Sequence, residues 1–134
     1  MSHYSLPVRV YIEDTDAGGI VYYANYLNYM ERARTEWLRE CGIELDHLQY
    51  EHRTLFVVRS LTIEYRRPAR FNDQLTVQTH LRKIRQASVE CDQPVYRDST
   101  LLSESRVLLA CVDADKLSPT AIPPFIREAM TVEH

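Results

Sequence analysis

The chain has 134 residues, enough for one domain, residues 1–134, with a sizeable core. Sixteen Lys and Arg against nineteen Asp and Glu leave a net charge of −3, which argues against a general nucleic-acid binder. No apolar run approaches the roughly 18 residues of a membrane span, no basic-then-apolar signal opens the chain, and Cys41, Cys91 and Cys111 show no CxxC spacing. A cytoplasmic protein with its cysteines buried as small apolar side chains is the expectation.

Leu6, Val8, Val10 and Ile12 alternate with Arg9 and Tyr11, the period-two pattern of a half-buried strand over Leu6 to Glu13. An acidic turn with adjacent Gly18 and Gly19 follows. It runs into the one long amphipathic helix, about 18 residues, in which Tyr26, Met30, Ala33, Trp37 and Cys41 recur at steps of three or four and Leu27 and Leu38 widen the stripe. Gly42 stops it. A short second helix is predicted from Asp46 through His52.

From Thr54 the period is two. Leu61, Ile63 and Tyr65 face one way in a strand closed by Pro68, and Leu75, Val77 and Leu81 face one way in the next, which opens after Asn72 and Asp73. Val89, Cys91 and Val95 mark a fourth strand in which Pro94 implies an edge or a bulge. Leu101 to Asp113 form the last, apolar on both faces from Val107 to Val112 and so sandwiched. Leu117 to Pro124 read as loop, with a terminal helical turn over Phe125 to Met130. The result is an α+β domain, an antiparallel sheet of five strands wrapped on one helix. Because one helix covers only one face of that sheet, a second copy of the chain is expected on the other.

The acidic turn carries the chemistry. Asp14 and Asp16 precede two glycines that let backbone approach a ligand, and the first amides of the helix, near Tyr22, Tyr23 and Ala24, lie beyond. A carboxylate that activates water or attacks directly, beside amides that stabilise an oxyanion, suits attack on a carbonyl. The same residues also suit an Asx turn that merely caps the helix. A calcium loop is disfavoured, because its twelfth position would hold Asn25 instead of a bidentate Glu.

The run from Arg9 and Val10 through Asp14-Thr15-Asp16-Ala17-Gly18-Gly19-Ile20-Val21-Tyr22-Tyr23-Ala24-Asn25-Tyr26 to Glu31-Arg32-Ala33-Arg34 resembles the active-site signature of the 4-hydroxybenzoyl-CoA thioesterase family of hotdog-fold proteins. It is most similar to the branch of bacterial acyl-CoA thioesterases associated with the Tol-Pal system. The likeness continues through Phe56-Val57-Val58-Arg59, Glu64-Tyr65, Pro68-Ala69-Arg70 and Val112-Asp113. It implies a five-stranded hotdog sheet around a long central helix, a homodimer or homotetramer with active sites between subunits, an acyl-CoA substrate and no cofactor or metal. Asp16 would be the catalytic carboxylate and the Tyr23 amide the polarising donor. Many members of the branch carry His where this chain has Tyr23. Gly19, Val58 and Arg59 would contact substrate, and Glu31 would meet the distal acyl group unless it is a helix-surface residue paired with Arg34. Arg85 and Gln86 resemble the segment at the nucleotide end of coenzyme A, although Gln86 brings no charge to a phosphate. Arg66, Arg67, Arg70, Arg82 and Lys83 are further basic candidates.

His3, His47, His52, His80 and His134 show no metal spacing and are read as surface residues. Three functions are carried forward: acyl-CoA hydrolysis, a non-hydrolytic module that binds acyl thioesters or acyl carrier protein, and a dehydratase. Asp16 disfavours the second. The third requires a histidine where Tyr23 stands.

Overall fold

A computed structural model describes residues 2–132, so His134 lies outside the described residues. The elements are β1 (His3–Arg9), α1 (Asn25–Glu40), α2 (Leu45–His52), β2 (Thr54–Tyr65), β3 (Gln74–Ile84), β4 (Ser88–Asp92), β5 (Val95–Arg97), β6 (Thr100–Asp113) and α3 (Pro124–Thr131). All strand pairs are antiparallel, in the order β1-β3-β4-β6-β2, with β5 between β3 and β6. The expected fourth strand is therefore two short ones in line, β4 and β5. Pro94 cannot donate to a ladder, and the chain breaks at Gln93-Pro94. No helix of the described residues is long and apolar enough to cross a membrane.

The first strand departs from the alternation at its end. Pairing stops at Arg9, and Ile12–Asp14 form a 3-10 turn closed by the Asp14 amide on the Tyr11 carbonyl (3.0 Å) and the Tyr11 amide on Asp14 Oδ2 (2.9 Å). Val10 is buried, whereas Ile12, next in the alternation, is 72% exposed. A hydrophobic period says nothing about a side-chain carboxylate that can close a turn over it.

The long helix is α1, 16 residues, whose buried face is Tyr26, Tyr29, Met30, Ala33, Trp37 and Leu38. Tyr29 belongs to this stripe in place of Leu27, which is exposed, and Cys41 is half-buried beyond the helix end. At 100° per residue, Leu27 is turned a quarter circle from Tyr26, and Tyr29 falls three residues on from it. The Trp37 indole reaches back to the residue before β1, donating to Ser2 Oγ at 2.8 Å.

Gln93, at the strand break, is fully buried. Its Nε2 donates to the Met30 carbonyl of α1 and to Thr79 Oγ1 of β3, both at 2.9 Å, while its Oε1 accepts from Arg34 at 2.9 Å. The break thus becomes the polar joint between helix and sheet. In β6, Val107, Leu109, Cys111 and Val112 are buried, and Leu108 and Ala110 partly so. At the opposite margin β2 pairs only with β6, leaving one edge of this 12-residue strand open. Val57 and Val58 are exposed there, and a bulge between Val58 and Ser60 leaves Arg59 out of the register.

Candidate active site

The acidic turn is a short hairpin returning on itself. The Asp16 amide donates to the Ile20 carbonyl (2.9 Å), the Gly19 amide to the Asp16 carbonyl (3.0 Å) and the Tyr22 amide to the Asp14 carbonyl (2.9 Å), with Thr15 bridged to Val21. Gly19 sits at φ +77°, where a side chain would be strained. Asp16 Oδ1 accepts from the Gly18 amide at 2.8 Å, and a Cβ at residue 18 would lie 3.2 Å from that oxygen. One carboxylate oxygen is thereby held. The residue is exposed, and its Oδ2 has no hydrogen-bond partner among the described residues.

Neither aspartate caps the long helix. Asp14 closes the 3-10 turn, Asp16 folds onto Gly18, and the N-cap of α1 is Ala24, which has no side-chain hydrogen bond to give. Of the three amides expected to be open, that of Tyr22 is used within the turn. Those of Tyr23 and Ala24 have no acceptor among the described residues. Their directions are set. A peptide group is planar and trans, so the bond from the Asn25 amide to the Tyr22 carbonyl (2.8 Å) also orients the Tyr23 N–H. Likewise, the Tyr65 hydroxyl donates to the Tyr23 carbonyl at 2.7 Å and orients the Ala24 N–H.

The turn rests on the segment before β3. The Val21 amide donates to the Ala69 carbonyl at 2.8 Å, the Ala69 amide donates to the Tyr26 hydroxyl at 3.0 Å, and Ile20 bridges Arg70. Asp73 ties this segment down, its Oδ2 accepting from the Arg70 amide (2.9 Å) and Arg97 Nη1 (2.8 Å). Burial alone would raise the Asp73 pKa, but the Arg70 amide and the Arg97 guanidinium outweigh it and hold the carboxyl below its ordinary value. Its contribution to stability is therefore present above the unfolded value of about 4 and is lost as the pH falls through the lower folded value. We expect Asp73→Asn to melt about 3 °C below the wild type at neutral pH. The gap should narrow on acidification. Melting curves at several pH values check this, and a gap independent of pH would refute it.

Tyr29 is fully buried behind the turn. Burial first, then the adjacent Asp14 carboxylate, push its hydroxyl pKa up, so it stays a neutral phenol. Cys91 is no nucleophile either, since burial pushes its thiol up to about 12.

The other candidates fall into two groups. Glu31 and Val58 meet, lining a cleft of about 320 Å³ with Arg34, Leu38, Phe56 and Leu109. Arg34 gives its hydrogen bond to Gln93, so the pairing considered for Glu31 is not a direct contact, although the Glu31 charge opposes the lowering of the Arg34 pKa by burial. Arg59, next to Val58, stands on the bulge and is not among the residues lining this cleft. Arg85 and Gln86 lie past the end of β3, whose 11 residues span roughly 30 Å, while the acidic turn abuts the start of that strand. One chain does not bring them to Asp16. Their backbone carbonyls accept from Arg127 and from the Ile122 amide, and Arg85 faces Glu90 at 3.8 Å. Arg66 is engaged by Glu64 and Glu104, at 2.8 and 3.0 Å.

Two residues with evident roles escaped the reading of the sequence as site or joint residues. In the sequence Tyr65 is a strand residue within the run that carries the family likeness, with no role attached to it, and Gln93 carries no signal beyond its place before a proline.

The match to known proteins follows the geometry. The family model described as the thioesterase-like superfamily matches residues 10–130. This chain belongs to the thioesterase-like superfamily. Among its relatives in that superfamily, a protein of Escherichia coli O6:H1 named acyl-CoA thioester hydrolase YbgC is 48% identical over 121 residues, covering 90% of each chain. A protein of Haemophilus influenzae named acyl-CoA thioesterase YbgC is 43% identical over 126 residues, covering 94% of this chain and 93% of its own. The crystal structure of a mutant 4-hydroxybenzoyl-CoA thioesterase complexed with 4-hydroxybenzoyl-CoA superposes with a TM-score of 0.92, covering 98% of this chain and all of that one. At 19% identity this last likeness speaks for the fold, which is the hotdog arrangement of a sheet around a long helix.

Proposed function

We propose that the protein hydrolyses the thioester of an acyl-coenzyme A to the free acid and coenzyme A, with Asp16 as the catalytic carboxylate. The observation that carries this is the uncapped start of α1: two adjacent, oriented amides left open at the end of the same turn that holds an exposed carboxylate with one free oxygen. The carbonyl oxygen of the substrate accepts from these amides. Asp16 then removes a proton from an attacking water, or attacks the carbonyl carbon itself to give an anhydride that water opens. In either route the carbon–sulfur bond breaks, the thiolate leaves and takes up a proton, and the positive end of α1 stabilises the tetrahedral oxyanion. Only the backbone of Tyr23 is needed, so the tyrosine in a place where His is common in the branch does not impair this scheme. The names of the YbgC relatives support the same substrate class.

The proposal extends to assembly. The open edge of β2, with Val57 and Val58 exposed on it, suits an isologous contact with a second copy, giving a cytoplasmic homodimer or a homotetramer built from it. Sedimentation equilibrium checks this, and a monomer would remove it. Acyl carrier protein is retained as a second source of thioester, and service to the Tol-Pal system as its setting.

The test of the activity is release of free thiol from a panel of straight-chain acyl-CoAs, benzoyl-CoA and an acyl carrier protein. Turnover of at least one CoA ester is expected. Binding without thiol release from any of them would replace the hydrolase with a carrier module.

A further inference from the structure

At the head of α1 the Tyr23 carbonyl lacks the donor that a helix would supply. Four residues on, the Leu27 amide turns instead to the Ala24 carbonyl at 3.1 Å. The vacancy at Tyr23 is filled from outside the helix, by the Tyr65 hydroxyl at 2.7 Å. That hydroxyl arrives from the end of β2, so the bond ties the sheet's open-edged strand to the first turn of the helix.

The ring that carries the hydroxyl is itself fixed. It packs edge-on against Tyr26, with centroids 5.1 Å apart and planes at 74°, and against Tyr23 at 6.4 Å and 88°. Tyr26 is in turn immobilised, buried and accepting from the Ala69 amide. The Tyr65 pKa is raised, chiefly by burial and then by Tyr26, so the group keeps its proton and remains a donor at neutral and mildly alkaline pH.

Resting on the thioesterase reading above, we propose that Tyr65 is a positioning residue for the reaction. By holding the Tyr23 carbonyl it fixes the peptide plane between Tyr23 and Ala24, and so keeps both open amides converged on the substrate oxygen. Tyr65 touches no reacting atom in this scheme. Without the hydroxyl, the exposed Tyr23 carbonyl is left to water, the Tyr23–Ala24 peptide loses its fixed tie to β2, and the amide pair is less preorganised when the oxyanion forms. The loss falls on the transition state more than on the bound ester, because the developing negative charge is what the paired donors favour.

The experiment compares wild type with Tyr65→Phe, which keeps the ring and its packing and deletes one oxygen. We expect kcat to fall about tenfold with KM and melting temperature unchanged. A second measurement reads the carbonyl directly. In Asp16→Asn protein, the infrared stretch of a 13C-labelled acyl-CoA carbonyl should lie below that of the free ester, and adding Tyr65→Phe should move it back toward the free value. An unchanged kcat, a rise in KM in place of the fall in kcat, or a fall in kcat that comes with a lowered melting temperature and an unmoved carbonyl band each overturns the role. Wild-type protein inactive toward every acyl-CoA would count against the thioesterase reading, whereas the infrared band judges Tyr65 without turnover.

Discussion

Asp16→Asn is expected to lower turnover of the best acyl-CoA substrate by about a thousandfold, within the range that a positioned acid or base contributes. The substitution is conservative for the fold. Asparagine keeps an oxygen at the Oδ1 position, so the 2.8 Å bond from the Gly18 amide can persist, and the side chain is exposed, so no buried group loses a partner. What disappears is the negative charge and the basic or nucleophilic lone pair on the other oxygen. Melting should therefore stay close to that of the wild type, and the variant should still bind its substrate. Thiol-release kinetics beside a melting curve decide the matter: near-normal turnover by a folded variant would remove Asp16 from the chemistry.

The largest stability effect is expected at Gln93, well away from the reaction. Gln93→Leu preserves volume, yet it removes the partner of the half-buried Arg34 guanidinium and the donors to Thr79 Oγ1 and the Met30 carbonyl. Polar groups stripped of partners in a water-poor site cost more than the bonds themselves contribute, and the sum is about 3 kcal/mol. For a chain of this length that corresponds to roughly 10 °C in melting temperature. Adding Arg34→Met should recover part of the loss, because a half-buried cation without its hydrogen-bond partner is worse than no cation. A single variant that melts with the wild type would show the joint to be incidental.

The architecture was legible because two periods divide the chain cleanly. Steps of three and four from Tyr26 to Trp37 and alternation from Leu61 onward name one helix and its sheet, whereas Pro94, which implies an edge or a bulge in the fourth strand, instead divides it into two short strands paired on both sides. At Ile12 a side-chain hydrogen bond overrules the period: the residue continues an apolar alternation but is thrown outward by the Asp14 closure. Tyr29 is a different case, since it obeys the helical period and completes the stripe, and its phenol makes it look polar. The acidic turn was legible as a candidate site, since carboxylates, paired glycines and a helix start stand next to each other in the chain. Sequence could not say whether the aspartates cap the helix or leave it open. That choice depends on which amides each carboxylate reaches, and Asp16 chooses Gly18. Tyr65 and Arg85 illustrate the remaining difficulty. Both are distant in sequence from Asp16, and only the strand register brings one to the helix start and leaves the other beyond the far end of β3.

The bare end of α1 has a thermodynamic corollary. Most helices are finished by a serine, threonine, aspartate or asparagine of their own, worth about 1 kcal/mol, and here Ala24 forgoes that gain. In the mechanism proposed above, an incoming acyl carbonyl completes what the chain left undone, serving as a removable terminus. Occupancy and conformational order at this spot are then one equilibrium, and a bound ester or product analogue should slow amide exchange at Tyr23 and Ala24 before it does so anywhere in the sheet.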